Sequence, residues 1–318
     1  MADQPKIIVL DDDPTGSQTV HSCLLLMQWD VKTLRIGLRD ECPIFFVLTN
    51  TRALTPEQAA NVTREVTHNL QEAIAAENVK DFLVVSRSDS TLRGHYPVET
   101  DVIAEELGPF DAHFLVPAFF EGGRVTRDSV HYLAVDGSLT PVHETEFARD
   151  SVFGYRHSYL PDYVEEKTKG RIKANEVERF LLADLRSGPV DRLMKLTNNQ
   201  CGVVDGETQT DLDRFADALL SAASLGKRFL LRSAASILTS LANLGPQAIA
   251  PEDMAEYVRE GKPGAIIVGS HVKKSTQQLE RLLQEPGIVG VEIDVSHLLE
   301  ESPEQRAALL EDILSQVR

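Results

Sequence analysis

The sequence predicts an α/β fold: a mostly parallel sheet with flanking helices, plus a partial second α/β domain. Four short apolar runs in the first half of the chain, at residues 7–10, 44–48, 82–85 and 114–116, each end in a polar loop. The runs are almost continuously apolar instead of alternating, which is typical of parallel strands buried on both faces. Helical patterns follow several of these runs, and strands that alternate with helices indicate a parallel sheet.

Two of the intervening helices are well signalled. Before the first, Thr55 can cap the helix, Pro56 suits its first turn and Gln58 completes a capping box. The core-facing stripe of this helix recurs every four residues, at Val62, Val66, Leu70 and Ile74. The second helix is predicted to begin at Pro97 and to end before Gly108.

After a less regular stretch at residues 136–200, the alternation of strands and helices resumes. We predict strands at 202–204 and 229–231, and helices at 211–223 and 234–244. These elements would add to the same α/β domain.

A domain boundary is predicted in the segment 243–264, because it contains three prolines and several charges. We therefore expect a first domain over residues 1–245 and a partial second domain over residues 262–318. The elements predicted in the second domain are strands at 265–268 and 289–293, a helix at 275–283 and a terminal helix after Pro303.

Composition limits the functional classes. With 49 acidic and 32 basic residues, the chain has a formal net charge of −17, so it is a poor candidate for binding nucleic acid or an anionic membrane. An anionic substrate would have to be met by local arginine residues. The three cysteines form no CxxC pair, the N-terminal residues lack the apolar core of a signal peptide, and no stretch approaches about 18 apolar residues. These features predict a cytoplasmic protein with reduced thiols.

Polar loops follow the four early strands, at residues 11–17, 49–56, 86–97 and 117–129. In an open parallel sheet, ligands bind beyond the carboxyl ends of the strands, so these loops are the first candidates for a site. Carboxylates accept hydrogen bonds from hydroxyls, and guanidinium groups bind carboxylates or phosphates, so the loops suit a small ligand that carries both. Their charged residues are Asp11, Asp12, Asp13, Arg52, Arg87, Asp89, Arg93, Arg124 and Arg127.

Each of these features also has a structural explanation. The acids at residues 11–13 could cap the following turn, Arg52 could brace the start of a helix, and Gly122 with Gly123 could form a plain turn. The segment 88–94 is harder to explain in this way. It combines an acid, hydroxyls, a cation and a glycine directly after a buried strand, which a solvated turn does not require.

A phosphatase is one alternative function. Asp11, Asp13 and Thr15 fit the DxDxT pattern of haloacid-dehalogenase phosphatases, in which the first acid attacks phosphate and the second transfers a proton. The pattern is short, and the later lysine and acidic pair that such an enzyme needs are not identified in the sequence.

The loops together resemble the four-carbon acid sugar kinase family. Residues 11–17 are similar to its ADDLTGA motif, from which Asp11, Pro14 and Ser17 depart. The segment that begins at Arg87 resembles the family's KxDSTLRGN, with a full match to DSTLRG.

Further motifs extend the resemblance over about two thirds of the chain. Residues 50–52 are similar to the family's dTxSR segment, and residues 117–126 resemble PAFPxxGRxT. A following ET-F segment occurs at residues 144–147, and residues 205–212 resemble a later D-A-T-D-DL pattern. Several ordered motifs make the resemblance specific.

The resemblance implies an ATP-dependent kinase that phosphorylates a terminal hydroxyl of a four-carbon sugar acid such as threonate, erythronate or an oxo-tetronate. The first domain would bind the sugar acid and the second the nucleotide, with Mg²⁺ screening the phosphates. Ser270 resembles a family element whose serine contacts ATP. The resemblance implies no nucleic acid or membrane as a partner besides the small substrate, and it does not decide whether the chain forms a homodimer.

On this interpretation the loops bind different groups of the substrate. Arg52 and Arg93 are candidates to bind the substrate carboxylate. Asp12 or Asp13 would orient the hydroxyls and one would accept the proton of the attacking hydroxyl, with Asp89 as the rival base. Three further residues are assigned to substrate binding, namely Ser90, Gly123 and Arg124.

The sequence also makes a prediction about ATP. It contains no GGxT-like glycine-rich loop of the kind that cradles phosphates in this family, and it ends at Arg318. We therefore expect the chain alone to bind Mg-ATP weakly or not at all, and a non-catalytic sugar-acid binder is the alternative that fits this feature. Calorimetry with Mg-ATP tests the expectation, and a micromolar complex would contradict it.

Overall fold

The structure is a computed structural model that describes residues 5–135, 137–245, 249–250, 252–253, 260, 262–270, 272–296 and 302–317. The chain divides into two compact units, Met1–Gln247 and Ala248–Arg318.

A large parallel sheet dominates the first unit. The strands are β1 (Lys6–Asp11), β2 (Leu24–Leu26), β3 (Ile44–Leu48), β4 (Phe82–Arg87), β5 (Ala112–Val116), β6 (Arg124–Arg127), β7 (Val130–Val135), β8 (Ser138–Pro141), β9 (Glu178–Phe180), β10 (Gln200–Val204) and β11 (Phe229–Ser233). Eight of them form the parallel sheet, in the order β2-β3-β1-β4-β11-β5-β10-β9, and β6 to β8 form a small antiparallel sheet. The predicted α/β class, with a mostly parallel sheet and flanking helices, is confirmed.

Helices cover both faces of the parallel sheet. They are α1 (Val31–Arg39), α2 (Pro56–Glu77), α3 (Val98–Leu107), α4 (Leu160–Lys167), α5 (Leu182–Ser187), α6 (Val190–Leu193), α7 (Gln209–Ser224) and α8 (Ser236–Ala242). Among the described residues, no helix combines the length and the apolar character needed to cross a lipid bilayer.

The core consists of apolar clusters on the two faces of the sheet. On one face Phe114 is surrounded by three aromatic rings, those of Phe180, Phe215 and Phe229, at centroid distances of 5.6, 5.3 and 5.6 Å. Gly202 is required beside them, because a Cβ atom there would lie 2.6 Å from the Phe114 ring. On the other face α1, α2 and α3 pack against β1 and β3. Burial on both faces explains why these strands are continuously apolar.

Most predicted elements of the first unit are confirmed. α2 begins at Pro56 with the predicted capping box, and α3 follows Pro97, which is its N-cap residue. α7 and α8 match the two later helices. The antiparallel sheet was not predicted, because its short strands have no regular alternation that separates them from loops.

Two helices of the second unit lie wholly within its described residues, α9 (Lys273–Leu282) and α10 (Pro303–Val317). The strands predicted at 265–268 and 289–293 are wrong, since the described backbone there is not in a strand. Ile267 is 96% exposed and Val289 is 82% exposed. Within the described part of this unit, these apolar segments therefore lack the packing that stabilises a strand.

The N-terminus of α2 gives a stability prediction. The Thr55 hydroxyl accepts a hydrogen bond from the Gln58 N–H at 3.3 Å, and Gln58 Oε1 accepts one from the Thr55 N–H at 3.1 Å. We expect Thr55→Ala to lower the free energy of unfolding by about 1 kcal/mol, because a helix N–H loses its acceptor. Thr55→Ser, which keeps the hydroxyl, should restore most of it in urea denaturation. Equal stability of the alanine variant and the wild type would contradict the role of the cap.

Candidate functional site

The carboxyl ends of the neighbouring strands β1, β3 and β4 lie side by side at one end of the parallel sheet. β1 lies between the other two strands, and Asp11 is in register with Leu48 of β3 and with Arg87 of β4. The loop after β3 is bound to the loop after β1, because the Arg52 N–H donates to the Asp12 carbonyl at 3.1 Å. The chain leaves β1 toward β2 on one side and leaves β4 toward β5 on the other, so a binding crevice is expected at the carboxyl ends of β1 and β4.

Two arginine residues compensate the three adjacent aspartates. Arg52 donates from Nε to Asp12 Oδ2 at 3.1 Å, and its terminal nitrogens donate to Asp12 and Asp13. Arg87 donates to Asp13 Oδ1 at 2.7 Å and to Asp11 Oδ1 at 3.2 Å. Every carboxylate of this aspartate triad, residues 11–13, therefore has a guanidinium partner.

Asp11 is the most enclosed member of the triad. Burial raises its pKa to about 7; Arg87 opposes this shift, and the charges of Asp12 and Asp13 add to it. Asp11 Oδ2 is buried without a hydrogen-bond partner and lies against Gly16, where a Cβ atom would approach it to 1.8 Å. This oxygen is packed against backbone and is not open to a ligand.

The triad has the acidic composition of a metal site. Its carboxylates offer oxygens within 4.8 Å of one another, a spacing that could hold a cation. Arg52 and Arg87 already pair with all three groups, so the positive charge that an ion would bring is present. The triad oxygen without a partner faces Gly16 and has no room for an ion. These residues do not fit a resident metal ion.

Asp89 is the first acid of the loop after β4. Its Oδ2 accepts hydrogen bonds from Arg93 Nε at 2.8 Å, from the Thr91 N–H at 3.2 Å and from the Thr91 hydroxyl, whereas Oδ1 accepts none from the described residues. Burial acts to raise the pKa of Asp89, but the charges of Arg93 and Arg52 outweigh it and hold the pKa well below its usual range. Asp89 is an ionised carboxylate with one open oxygen.

Arg93 lies beside this carboxylate with part of its guanidinium accessible. Its guanidinium carbon is 4.9 Å from the centroid of the Phe147 ring, and one terminal nitrogen is 3.8 Å from an oxygen of Asp150. The side chain is 26% exposed. Ser90, on the same loop, is half-buried.

A buried arginine that the sequence analysis missed supports this loop. The Ser88 hydroxyl donates to Asp12 Oδ2 at 2.9 Å and so joins the loop to the triad. Behind it, Arg232 of β11 is 1% exposed and donates to Ser88 Oγ at 3.3 Å and to the Arg93 carbonyl at 2.8 Å. The signal was an arginine at the end of an apolar run, but the predicted strand stopped one residue earlier.

Gly123 and Arg124 lie where the chain enters the β6–β7 hairpin. Gly123 has a φ of +73°, in the left-handed region that favours glycine. Arg124 donates to the Gly122 carbonyl at 2.7 Å, and its Nε is buried without a hydrogen-bond partner. Burial lowers the pKa of Arg124, while the charge of Asp89 acts to raise it and that of Arg93 adds to the lowering. Arg124 therefore belongs to the same electrostatic group as the loop after β4.

An acid near the triad was also missed. Glu99, in the first turn of α3, is buried and accepts a hydrogen bond from the Thr51 hydroxyl at 2.5 Å. Burial raises its pKa to about 7, and the charge of Asp12 adds to the shift. Sequence alone does not distinguish such an inward-facing glutamate from an acid on the exposed face of a helix.

Two further predicted residues have contacts of their own. Arg127 is exposed and pairs with Glu207. Ser270 belongs to the second unit, where it is exposed and its Oγ accepts a hydrogen bond from the Val272 N–H at 3.3 Å.

A shallow groove of about 600 Å³ lies near the amino ends of the strands, and it is lined in part by Phe110, Arg171 and Asn199. Phe110 and Asn199 precede the amino ends of β5 and β10. No member of the aspartate triad or of the loop after β4 lines this groove. The charged groups converge at the carboxyl ends of β1, β3 and β4, which we take as the candidate site.

Two family models match the chain. Residues 7–241 match a sugar-binding N-terminal domain, and residues 265–318 match a nucleotide-binding C-terminal domain. Among curated proteins, a D-erythronate kinase of Heliobacterium modesticaldum is 26% identical over 98% of this chain and 67% of its own length. A D-threonate kinase of Bordetella bronchiseptica is 30% identical over 49% of this chain and 38% of its own length.

Solved structures share the fold. A Bordetella bronchiseptica protein with a domain of unknown function, described as a domain-swapped dimer with bound citrate, has a TM-score of 0.57 at 23% identity over 97% of this chain and 70% of its own. A Salmonella typhimurium protein described as a putative tRNA synthase has a TM-score of 0.58 at 18% identity over 99% of this chain and 72% of its own. At these identities the likeness concerns the fold alone.

The enclosed carboxyl of Asp11 gives a prediction of pH dependence. Its folded-state pKa of about 7 lies above the ordinary value, so protonation stabilises the folded state. This contribution is complete below about pH 4, where the unfolded chain is also protonated, and is lost as the pH rises through 7. We expect the unfolding free energy of wild type, relative to that of Asp11→Asn, to fall between about pH 4 and 7 in urea denaturation.

An exposed acid provides the control for this prediction. Asp81 is exposed, so Asp81→Asn should leave the shape of the wild-type pH profile unchanged. Parallel profiles for wild type and Asp11→Asn would show that Asp11 does not titrate in this range.

Proposed function

The chain belongs to the four-carbon acid sugar kinase family, and on that premise we propose that its first unit binds a four-carbon sugar acid for ATP-dependent phosphorylation of a hydroxyl group. The matches to a sugar-binding and a nucleotide-binding domain support the two halves of this reaction. The relatives described as D-erythronate and D-threonate kinases support the substrate class. We propose an acid of the erythronate, threonate or oxo-tetronate type.

One observation carries the proposal most strongly: an ionised carboxylate with an open oxygen lies beside guanidinium groups that are only partly paired. Asp89 Oδ1 accepts no hydrogen bond from the described residues, and Arg124 pairs with a carbonyl instead of an acid. Such a site can accept hydrogen bonds from hydroxyls and donate them to a carboxylate. A polyhydroxy acid presents both groups.

The pairing of charges suggests a division of roles among the candidate residues. Arg52 is engaged by Asp12 and Asp13, so we assign these three residues to holding the crevice in shape. Arg93 and Arg124 are then the cations proposed for the substrate carboxylate, with Ser90 and Gly123 contributing to the same substrate site.

Asp89 is the residue that we propose to contact the reacting hydroxyl. A carboxylate with a lowered pKa is a weak base, but phosphoryl transfer depends mainly on positioning and on neutralising charge. Asp89 would align the hydroxyl by accepting its hydrogen bond. The second unit, with Ser270, is proposed to contribute to ATP binding. Mg²⁺ would arrive with the nucleotide, because the aspartate triad does not fit a resident ion.

The phosphatase alternative is less favoured by the geometry. Asp11 would have to attack phosphate, yet it is 1% exposed and its unpartnered oxygen is packed against Gly16. A nucleophile needs a free line of approach to the reacting atom. A non-catalytic sugar-acid binder would keep the same substrate site and differ only in turnover.

Assembly and location complete the proposal. We propose a cytoplasmic enzyme, and a homodimer on the precedent of the Bordetella bronchiseptica structure. Light scattering after gel filtration would test the dimer.

Two substitutions test the proposed site. Arg93→Ala should weaken binding of D-erythronate or D-threonate by well over the roughly 0.5 kcal/mol of an ordinary surface change, because a charged donor is lost. Asp89→Asn should lower turnover in an assay of sugar-acid-dependent ADP release. Calorimetry and this assay give the two measurements.

The matched control is Arg127→Ala, since Arg127 is an exposed arginine at the end of β6 and pairs with Glu207. It should behave as wild type. Unchanged affinity in Arg93→Ala would remove Arg93 from the site. Phosphate release without nucleotide would favour the phosphatase, and binding without turnover the non-catalytic relative.

A further inference from the structure

The backbone carbonyls of residues 89–93 are all held by side chains from beneath the loop after β4. Four buried side chains, from β7, β11, α4 and the segment before α4, supply the donors. The hydrogen bonds run, in order, from Arg232 to the Asp89 carbonyl at 3.4 Å, from His131 Nε2 to Ser90 at 2.7 Å, from the Tyr155 hydroxyl to Thr91 at 2.6 Å, from the Tyr163 hydroxyl to Leu92 at 2.8 Å, and from Arg232 to Arg93 at 2.8 Å.

The histidine donor has a defined tautomer. A carbonyl only accepts, so His131 Nε2 carries the hydrogen that bonds to Ser90. His131 Nδ1 is then the acceptor for the Thr126 hydroxyl, 2.9 Å away. Burial lowers the pKa of His131 to about 4, which keeps the ring neutral. The contact between His131 and the Ser90 carbonyl is therefore a hydrogen bond from a neutral imidazole ring.

The orientation of the carbonyls fixes that of the N–H groups. In a trans peptide the N–H points opposite to the preceding C=O, so each N–H of residues 90–94 points away from the donor that binds the carbonyl just before it. The Thr91 N–H bonds to Asp89 Oδ2 and the Leu92 N–H to the Asp89 carbonyl, each at 3.2 Å. No described group accepts a hydrogen bond from the three remaining N–H groups, those of Ser90, Arg93 and Gly94.

We propose that the N–H groups of Ser90, Arg93 and Gly94 form a cradle for the carboxylate of the substrate. Tyr155 and Tyr163 are positioning residues that hold this cradle in place from below. The inference rests on the proposed function, which supplies the carboxylate, and it adds backbone donors to the side chains already assigned.

Two independent features support an anion at this position. Arg124 is half-buried and its guanidinium group bonds to the Gly122 carbonyl but to no acid among the described residues, so it keeps donors for an anion. Leu92 and Gly94 have φ angles of +67° and +120°, and loops that include left-handed residues form concave sets of N–H groups that bind anions. The ionised Asp89 repels a doubly charged phosphoryl group more than a singly charged carboxylate, which favours the carboxylate as the occupant.

Removal of single hydroxyl groups tests the cradle without touching the ligand. Tyr163→Phe and Tyr155→Phe each free one loop carbonyl, so each should weaken D-erythronate or D-threonate binding about tenfold in calorimetry. The control is Tyr96→Phe. Tyr96 is buried and stacks on Tyr163 at 6.0 Å, but its hydroxyl faces His113 and Cys201 instead of the loop. Its affinity for the acid should match that of wild type.

Melting temperatures separate a positioning role from general destabilisation. The cradle predicts that Tyr155→Phe and Tyr163→Phe lose affinity even where their melting temperatures equal that of Tyr96→Phe. The two tyrosines act on different carbonyls, so a folding failure of one variant leaves the other as the test. Equal losses in all three variants, or none in the loop variants, would overturn the proposal.

Further probes distinguish this inference from the proposed function. If wild type binds citrate but neither sugar acid, and citrate binding weakens in Tyr163→Phe and Tyr155→Phe, the cradle stands and the proposed substrate is wrong. If inorganic phosphate binds and the loop variants weaken it while leaving the acids unaffected, the assignment to a carboxylate is overturned. Absence of binding by every carboxylate would overturn the cradle itself.

Discussion

The arrangement of the loops after β1, β3 and β4 depends on the ion pairs that link the aspartate triad to Arg52 and Arg87. Three adjacent acids at the end of a buried strand repel one another, and burial increases the cost of each charge. The two arginines come from different segments, Arg52 from the turn after β3 and Arg87 from the end of β4. Their pairing therefore requires β1 to lie between these strands, and it joins the three loops into one surface.

A second layer of support lies behind this surface. β11 is inserted between β4 and β5, although it is the last strand of the sheet in sequence. This order brings Arg232 beneath the loop after β4, where it holds carbonyl groups instead of an acid. Side chains thus shape the triad, whereas the neighbouring loop is shaped through its backbone. As a result, the Asp89 carboxylate and the partly exposed guanidinium group of Arg93 lie together at the carboxyl ends of the strands.

Sequence reasoning succeeded where the physical cause is local. The capping box at Thr55 and the buried runs of β1, β3 and β4 depend on neighbouring residues, and the convergence of their loops follows from parallel pairing. It did not find Arg232 or Glu99, because their roles depend on a strand order and a helix orientation that no local pattern encodes. The segments around Ile267 and Val289 have the composition of strands, but a strand also needs a partner.

The pairing of Asp11 with Arg87 has an evolutionary consequence. The family motifs that this chain resembles have alanine and lysine at these two positions, and here both are exchanged. An aspartate introduced alone would leave a buried carboxyl group with a weaker partner, and an arginine introduced alone would keep Asp13 but lose Asp11, the more buried of its two carboxylate partners. The two positions are therefore expected to change together among homologous chains, with Gly16 retained wherever the acid is present, because any larger residue would collide with it.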